Sequence, residues 1–184
     1  LIAGLVMLPL VLRRRQLRAL RENWRPLLGV GSLSAALPFT LLAYASLDLT
    51  AGTTSILNAT VPIFAAVIGY ALYSEALDIR RVLGVLLGFV GVVVLVGLPR
   101  ESGSTPLLPV VAGLAAAVCY VFGANFAKRR LSHLPAVVFV TGSQLGAAVI
   151  MLPLLPLFPT AQVPGALVVG AVVALAVLST SLAF

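Results

Sequence analysis

The amino-acid sequence predicts an all-α membrane protein, a polytopic helical bundle, and three observations support this fold class. Of the 184 residues, 61% are apolar and only 9% are charged, whereas about 25% are charged in a soluble domain, whose surface must face water. The mean hydropathy is +1.15. The apolar residues form long runs that short polar or basic segments separate. We therefore expect the lipid bilayer to be the solvent of most of this surface.

The apolar runs have the length of membrane-spanning helices. A hydrocarbon core about 30 Å thick needs roughly 20 apolar residues in a helix. The first run, 1–12, would be only about 18 Å long as a helix, and we expect it to be the second half of a helix that begins before this chain. Six further runs qualify as spans, at about 27–46, 53–73, 82–98, 107–127, 134–158 and 163–184.

The basic residues predict the orientation of these spans. Eleven of the twelve Lys and Arg residues lie in three alternate loops, 13–25, 74–81 and 128–133, and the twelfth, Arg100, lies beside Glu101. The positive-inside rule places the three basic loops in the cytoplasm. We therefore expect a multi-pass protein of a bacterial-type inner (plasma) membrane.

The net charge of +7 could also indicate a nucleic-acid partner. The basic residues, however, fall in short clusters between apolar runs, so we expect no nucleic acid. In loop 13–25 the arginines retain the loop in the cytoplasm and Trp24 anchors it at the membrane interface. An acidic-lipid patch is the alternative interpretation of the same loop.

Two pairs of similar segments indicate an internal repeat. Met-Leu-Pro-Leu occurs at 7–10 and at 151–154, an offset of 144 residues. The segments that begin at Val30 and Val169 also match loosely, at an offset of 139. Five crossings separate the copies, so equivalent helices run in opposite directions, which is typical of the inverted repeats of secondary transporters. We expect two five-helix repeats, both incomplete here: 1–98 without its first helix and 107–184 without its last two, joined by an external linker at 99–106.

A motif extends over residues 44–91. Pro62-Ile63-Phe64 lies at the middle of the run 53–73, Glu75 ends that run, and Gly84 and Gly91 follow in the next. This pattern resembles the EamA-type branch of the drug/metabolite transporter superfamily. The resemblance implies ten helices in two inverted repeats, of which this chain holds helices two to eight. It also implies transport of small metabolites, often export of amino acids or related solutes.

The spans contain no Asp, Glu, Lys or Arg near their middle, where a charge would cost about 2.5–3.5 kcal/mol on insertion scales. We therefore expect a neutral polar cavity with aromatic walls. An amide both donates and accepts hydrogen bonds, so Asn58 is the first candidate for contact with the solute. The alternative for Asn58 is an interhelical hydrogen bond, and for the others it is helix packing. The candidate substrate-binding residues are Thr40, Tyr44, Asn58, Tyr120 and Gln144.

We assign gating or structural roles to Pro62, Glu75 and Gly84. Glu75 is expected to pair with Arg80 or Arg81 after the turn, and Gly84 to let its helix approach a neighbour closely. The one cysteine, Cys119, lies inside an apolar run, and the one histidine, His133, lies in a loop; we expect no metal and no other cofactor.

The leading function is a secondary transporter that exports a small organic solute by alternating access. A non-transporting membrane scaffold or sensor is the second hypothesis. An intramembrane enzyme is the third, and it would need paired acids, a Ser/His pair or metal ligands at membrane depth. We expect a small-molecule solute and the lipid bilayer as partners, and the sequence is compatible with a homodimer.

Overall fold

The computed structural model describes residues 2–13, 15–73, 78–97 and 107–153, and residues 165–176 except 167, 169, 172 and 175. All regular secondary structure among them is helical, which confirms the all-α fold class. The helices are α1 (Ile2–Arg13), α2 (Leu17–Glu22), α3 (Trp24–Gly31), α4 (Leu37–Ala45), α5 (Ala51–Asn58), α6 (Val61–Tyr73), α7 (Ile79–Gly97), α8 (Leu107–Arg130) and α9 (Ala136–Met151).

The helices coincide with the predicted spans. Within the described residues, three helical stretches are long and apolar enough to cross a membrane: Trp24–Ala45, Ala51–Leu72 and Leu107–Arg130. Shorter apolar helices occupy Gly4–Arg13, Val82–Val94 and Ala136–Met151. The last two predicted spans are described only in part, because residues 154–158 of one and residues 163, 164 and 177–184 of the other lie outside the described residues. The chain is therefore a multi-pass membrane protein.

Two of the long stretches depart from a regular α-helix, and each departure precedes a proline. A π-helical segment, Ser32–Ala36, joins α3 to α4 just before Pro38. Residues 59 and 60 form a turn between α5 and α6 just before Pro62. Proline has no N–H and its ring clashes with the carbonyl four residues earlier, so the regular hydrogen-bonding pattern cannot continue through it. The sequence predicted one helix over 53–73, and the structure divides it in two.

The described residues form two compact units, and the first comprises residues 1–36 and 126–184. In this unit α9 packs against α1, α2, α3 and the π-helical segment. A buried cluster of Leu27, Val30 and Leu131 lies at its centre, with Leu20, Phe126, Ala127, Leu134 and Phe139 packed around it.

Helices α3 and α9 run parallel. A β-carbon at Gly142 would touch Leu27, and a β-carbon at Gly31, one turn further along α3, would touch Ala147, which is also further along α9. The contacts thus advance along both helices in the same direction. Both helices begin at the same face of the unit, as the predicted alternation of loops requires.

The second unit comprises residues 37–125. Here α7 packs against α5 and α6. The core consists of Ala45, Leu49, Leu57, Val110 and Ala112, with Leu41, Val92 and Leu114 packed against it. The boundaries of the two units differ from those of the predicted repeats. The units reflect packing, whereas the repeats are an interpretation of sequence similarity.

Candidate solute-binding site

The break between α5 and α6 is the most distinctive polar feature of the second unit. Helix α5 begins where the Thr50 hydroxyl caps the Thr53 backbone N–H at 3.3 Å. It ends at Asn58, whose carbonyl would normally accept the N–H of residue 62, and Pro62 has none. Transporters commonly place solute and ion sites at such discontinuous helices, because unwound backbone and half-helix ends supply polar groups inside the membrane.

Thr60 stabilises the break. Its hydroxyl donates to the Leu57 carbonyl at 2.6 Å, and its side chain is buried. Its own carbonyl accepts from the backbone N–H groups of Ile63 at 2.9 Å and Phe64 at 3.1 Å, which begins α6. The break is thus a built turn whose backbone groups are largely satisfied.

Asn58 is exposed at the end of α5, and its side-chain amide has no hydrogen-bond partner among the described residues. An amide that faced only hydrocarbon would carry a desolvation penalty of about 1–3 kcal/mol. The amide is therefore free to bond to a solute or to a polar group of another helix, which are the two interpretations that the sequence offered.

An aromatic pair lies in the same unit. The rings of Phe39 on α4 and Tyr120 on α8 meet edge to face, with centroids 6.5 Å apart and planes at 86°. Phe39 is 62% exposed, and Tyr44 on the same helix is 40% exposed. Thr40, next to Phe39, is also exposed. Of the predicted residues, Tyr120 makes this ring contact, whereas Thr40 and Tyr44 share only the helix α4 with its partner Phe39.

An open groove of about 460 Å³ lies between the α5–α6 segment and α7. Among its described lining residues, Thr60 alone has a polar side chain, and an added β-carbon at Gly88 would touch Ile63. A β-carbon at Gly84 would meet nothing within 4 Å. A close approach of α7 to a neighbouring helix is thus seen at Gly88, and the role of Gly84 stays a prediction.

The other predicted residues lie apart from this group or outside the description. Gln144 is a half-buried residue of α9, in the first unit. Pro62 is exposed at the second position of α6. Glu75 lies outside the described residues, as does the side chain of Arg81, so the predicted ion pair stays a prediction. Arg80 is exposed.

The sequence analysis missed two residues of this site, Thr60 and Phe39. Thr60 could have been found from the Thr-x-Pro spacing, because a hydroxyl two residues before a helix-breaking proline can take over a carbonyl of the preceding turn. Phe39 gave no comparable signal, since its partner Tyr120 is 81 residues away in the chain. Among the described residues, no group of three or more His, Cys, Asp or Glu side chains could hold a metal ion.

These features define a multi-pass helical membrane protein with a broken span and, in the same unit, an aromatic ring pair. Residues 1–97 match the sequence profile of the EamA-like transporter family. The match covers more than half of the 184 residues, and the chain belongs to this family. It confirms the resemblance seen in residues 44–91. Comparison with curated proteins and with solved structures gave no match.

Proposed function

We propose that this protein is a secondary transporter that exports a small, neutral or zwitterionic organic solute, such as an amino acid, by alternating access. Membership of the EamA-like transporter family supports transport as its activity. The observation that carries the site is the exposed Asn58 amide at the break between α5 and α6, which has no hydrogen-bond partner among the described residues. We propose transport rather than catalysis, because the spans lack acidic side chains near their middle.

The proposed site combines three kinds of group. The Asn58 amide bonds to polar groups of the solute, the Phe39–Tyr120 pair and Tyr44 pack against its apolar part, and the Thr40 hydroxyl adds a further polar contact. A carboxylate or ammonium group of a zwitterion would meet neutral dipoles and not fixed charges. Neutral dipoles bind such groups weakly enough for the solute to leave again, which transport requires.

We also propose the orientation and the repeats. The loops 13–25, 74–81 and 128–133 face the cytoplasm of a bacterial-type inner membrane, and 1–98 and 107–184 are two inverted repeats that move against each other. The parallel course of α3 and α9 supports this, because both follow basic loops and both would cross the membrane outward.

The proposal is tested by solute flux. The complete protein is reconstituted in liposomes that are loaded with labelled amino acids and small organic acids, and efflux is measured with and without imposed ion gradients. We expect saturable efflux of one solute class that empty liposomes lack. Absence of flux for every solute, in both directions, would overturn transport. If the Asn58→Leu variant transported the solute as well as the unaltered protein, only the assigned site would be overturned.

A further inference from the structure

A second groove lies in the first unit, away from the residues assigned to the solute. It has a volume of about 280 Å³ and lies between α9 and the stretch from α2 into α3. Gly142 and Gly146 line the groove where α9 closely approaches Leu27 and Leu28. The remaining lining is apolar apart from the indole nitrogen: Leu20, Trp24, Leu27, Leu28, Leu145 and Val149.

Two arginine side chains lie where this groove meets the basic loop. Arg21 and Arg25 each follow directly a residue that lines the groove, Leu20 and Trp24, and both arginines are exposed. The guanidinium carbon of Arg25 lies 5.3 Å from the centroid of the Trp24 ring, which is a cation–π contact. The ring thereby holds a positive charge beside the apolar groove.

The local carboxylate does not neutralise these two arginines. Glu22 accepts a hydrogen bond from Arg18, with the Nε–Oε1 distance at 2.7 Å. That contact raises the pKa of the Arg18 guanidinium above its ordinary value. Arg21 and Arg25 have no carboxylate partner within the described part of the chain. Two uncompensated guanidinium groups therefore adjoin an apolar groove at the start of a membrane-spanning stretch.

We propose that this groove is a binding site for an anionic phospholipid. One acyl chain lies along α9 against Leu145 and Val149, and the headgroup phosphate is held by Arg25, with Arg21 beside it. A guanidinium can donate two parallel hydrogen bonds to a phosphate, and stacking on an indole leaves its edge available for them. The exposed Trp24 fits this position, because tryptophan prefers the headgroup level of a membrane.

The proposal is tested by native mass spectrometry of the purified protein in detergent, titrated with phosphatidylglycerol or with phosphatidylcholine of the same acyl chains. We expect phosphatidylglycerol to bind at lower concentration. Arg25→Gln should weaken phosphatidylglycerol binding about fivefold, the equivalent of about 1 kcal/mol for one basic residue near an anionic surface. Phosphatidylcholine binding should change less than twofold.

Two matched controls separate this site from general effects. Arg130→Gln removes the same charge from an exposed position in another basic cluster and should leave phosphatidylglycerol binding within twofold. Val149→Trp fills the groove from a residue that is 59% exposed and should abolish the preferred binding. Val6→Trp, at an exposed position on α1 outside the groove, should not.

Each opposite result counts against the proposal. An equal loss with Arg130→Gln would mean that only net charge matters. Full binding by Val149→Trp would place the acyl chain elsewhere. Competition by soluble glycerol phosphate at the same concentration as the lipid would identify a phosphate site without an acyl chain. A concentration-dependent dimer that Val149→Trp disrupts would show that a second copy fills the groove.

Discussion

Gly31 on α3 lies directly against the backbone of α9 at Ala147. A β-carbon at Gly31 would lie 2.7 Å from the backbone nitrogen of Ala147 and would also collide with the Ser143 carbonyl. These atoms belong to the backbone of α9, which cannot relieve the clash by changing rotamer as a side chain can. This contact fixes α3 against α9, in the manner of the small-residue interfaces of membrane helices.

We predict that Gly31→Ala lowers the free energy of unfolding by about 2 kcal/mol relative to Gly91→Ala, within the usual range for overpacking. Gly91 is the matched control, because a β-carbon there would meet nothing within 4 Å. Both variants exchange a helical glycine for alanine, so the gain in helix propensity is common to both. Unfolding in mixed micelles measures the difference, and equal stabilities would contradict the close contact.

The general arrangement of these helices could be read from the sequence, because it depends on local properties. Apolar length and alternate basic loops place the spans, and Lys128, Arg129 and Arg130 do end a helix, α8, as a basic loop predicts. Gly142 and Gly146, four residues apart, lie at a close helix contact, as the spacing of small residues in membrane helices favours. These signals are local in the chain and need no knowledge of which helix packs on which.

The details of the site depend on tertiary packing and were harder to predict. Gly84 and Gly88 are equally plausible from the sequence, and only the position of Ile63 selects Gly88. The contact between Phe39 and Tyr120 joins helices that lie far apart in the chain. The break after Asn58 was foreseeable from Pro62, but proline in membrane helices is often tolerated as a kink, so its presence alone does not specify a turn.

The Asn58 side chain should contribute more to solute affinity than to the free energy of unfolding. We predict that Asn58→Leu raises the half-saturating solute concentration about tenfold, because the solute loses a hydrogen bond worth about 1.4 kcal/mol. The free energy of unfolding should change by no more than about 0.6 kcal/mol, the average for an interhelical hydrogen bond in membranes. Flux assays and unfolding of the same preparations measure both.

Ser46→Ala is the control for Asn58. Ser46 is exposed just after α4, and its hydroxyl donates to the Leu42 carbonyl of that helix at 2.8 Å, so its removal should leave solute affinity unchanged. If Asn58→Leu destabilised the protein by several kcal/mol and left solute affinity intact, the amide would be an interhelical bond and not a solute contact.

Pro62 should maintain the break between α5 and α6. We predict that Pro62→Ala restores an N–H that can bond to the Asn58 carbonyl, so that the helix continues through residues 59 and 60. Hydrogen exchange at the new residue-62 amide should then be slow, and solute flux should fall because the polar backbone is withdrawn into the helix. Pro26→Ala is the control. Pro26 lies in the first turn of α3, where proline is tolerated.

Two substitutions at Tyr120 separate the contribution of its ring from that of its hydroxyl. Tyr120→Phe keeps the edge-to-face contact with Phe39 and should leave the free energy of unfolding unchanged, while solute affinity falls if the hydroxyl bonds to the solute. Tyr120→Leu removes the ring and should cost a further 0.5–1.5 kcal/mol, roughly the value of an aromatic pair. A double-mutant cycle with Phe39→Leu measures that coupling, and a coupling near zero would contradict the contact.

Thr141 and Thr54 are buried threonines with opposite hydrogen-bonding states. The Thr141 hydroxyl is fully buried on α9 and has no partner within the described part of the chain, whereas the Thr54 hydroxyl donates to the Thr50 carbonyl at 3.1 Å. Valine has nearly the same shape as threonine. Thr141→Val should therefore raise the free energy of unfolding by about 1 kcal/mol, because it removes a buried group that lacks a partner. Thr54→Val should lower it by about 1 kcal/mol, because it removes a bond that is made. A loss of stability in Thr141→Val as large as that in Thr54→Val would show that the Thr141 hydroxyl binds a polar group in the folded protein.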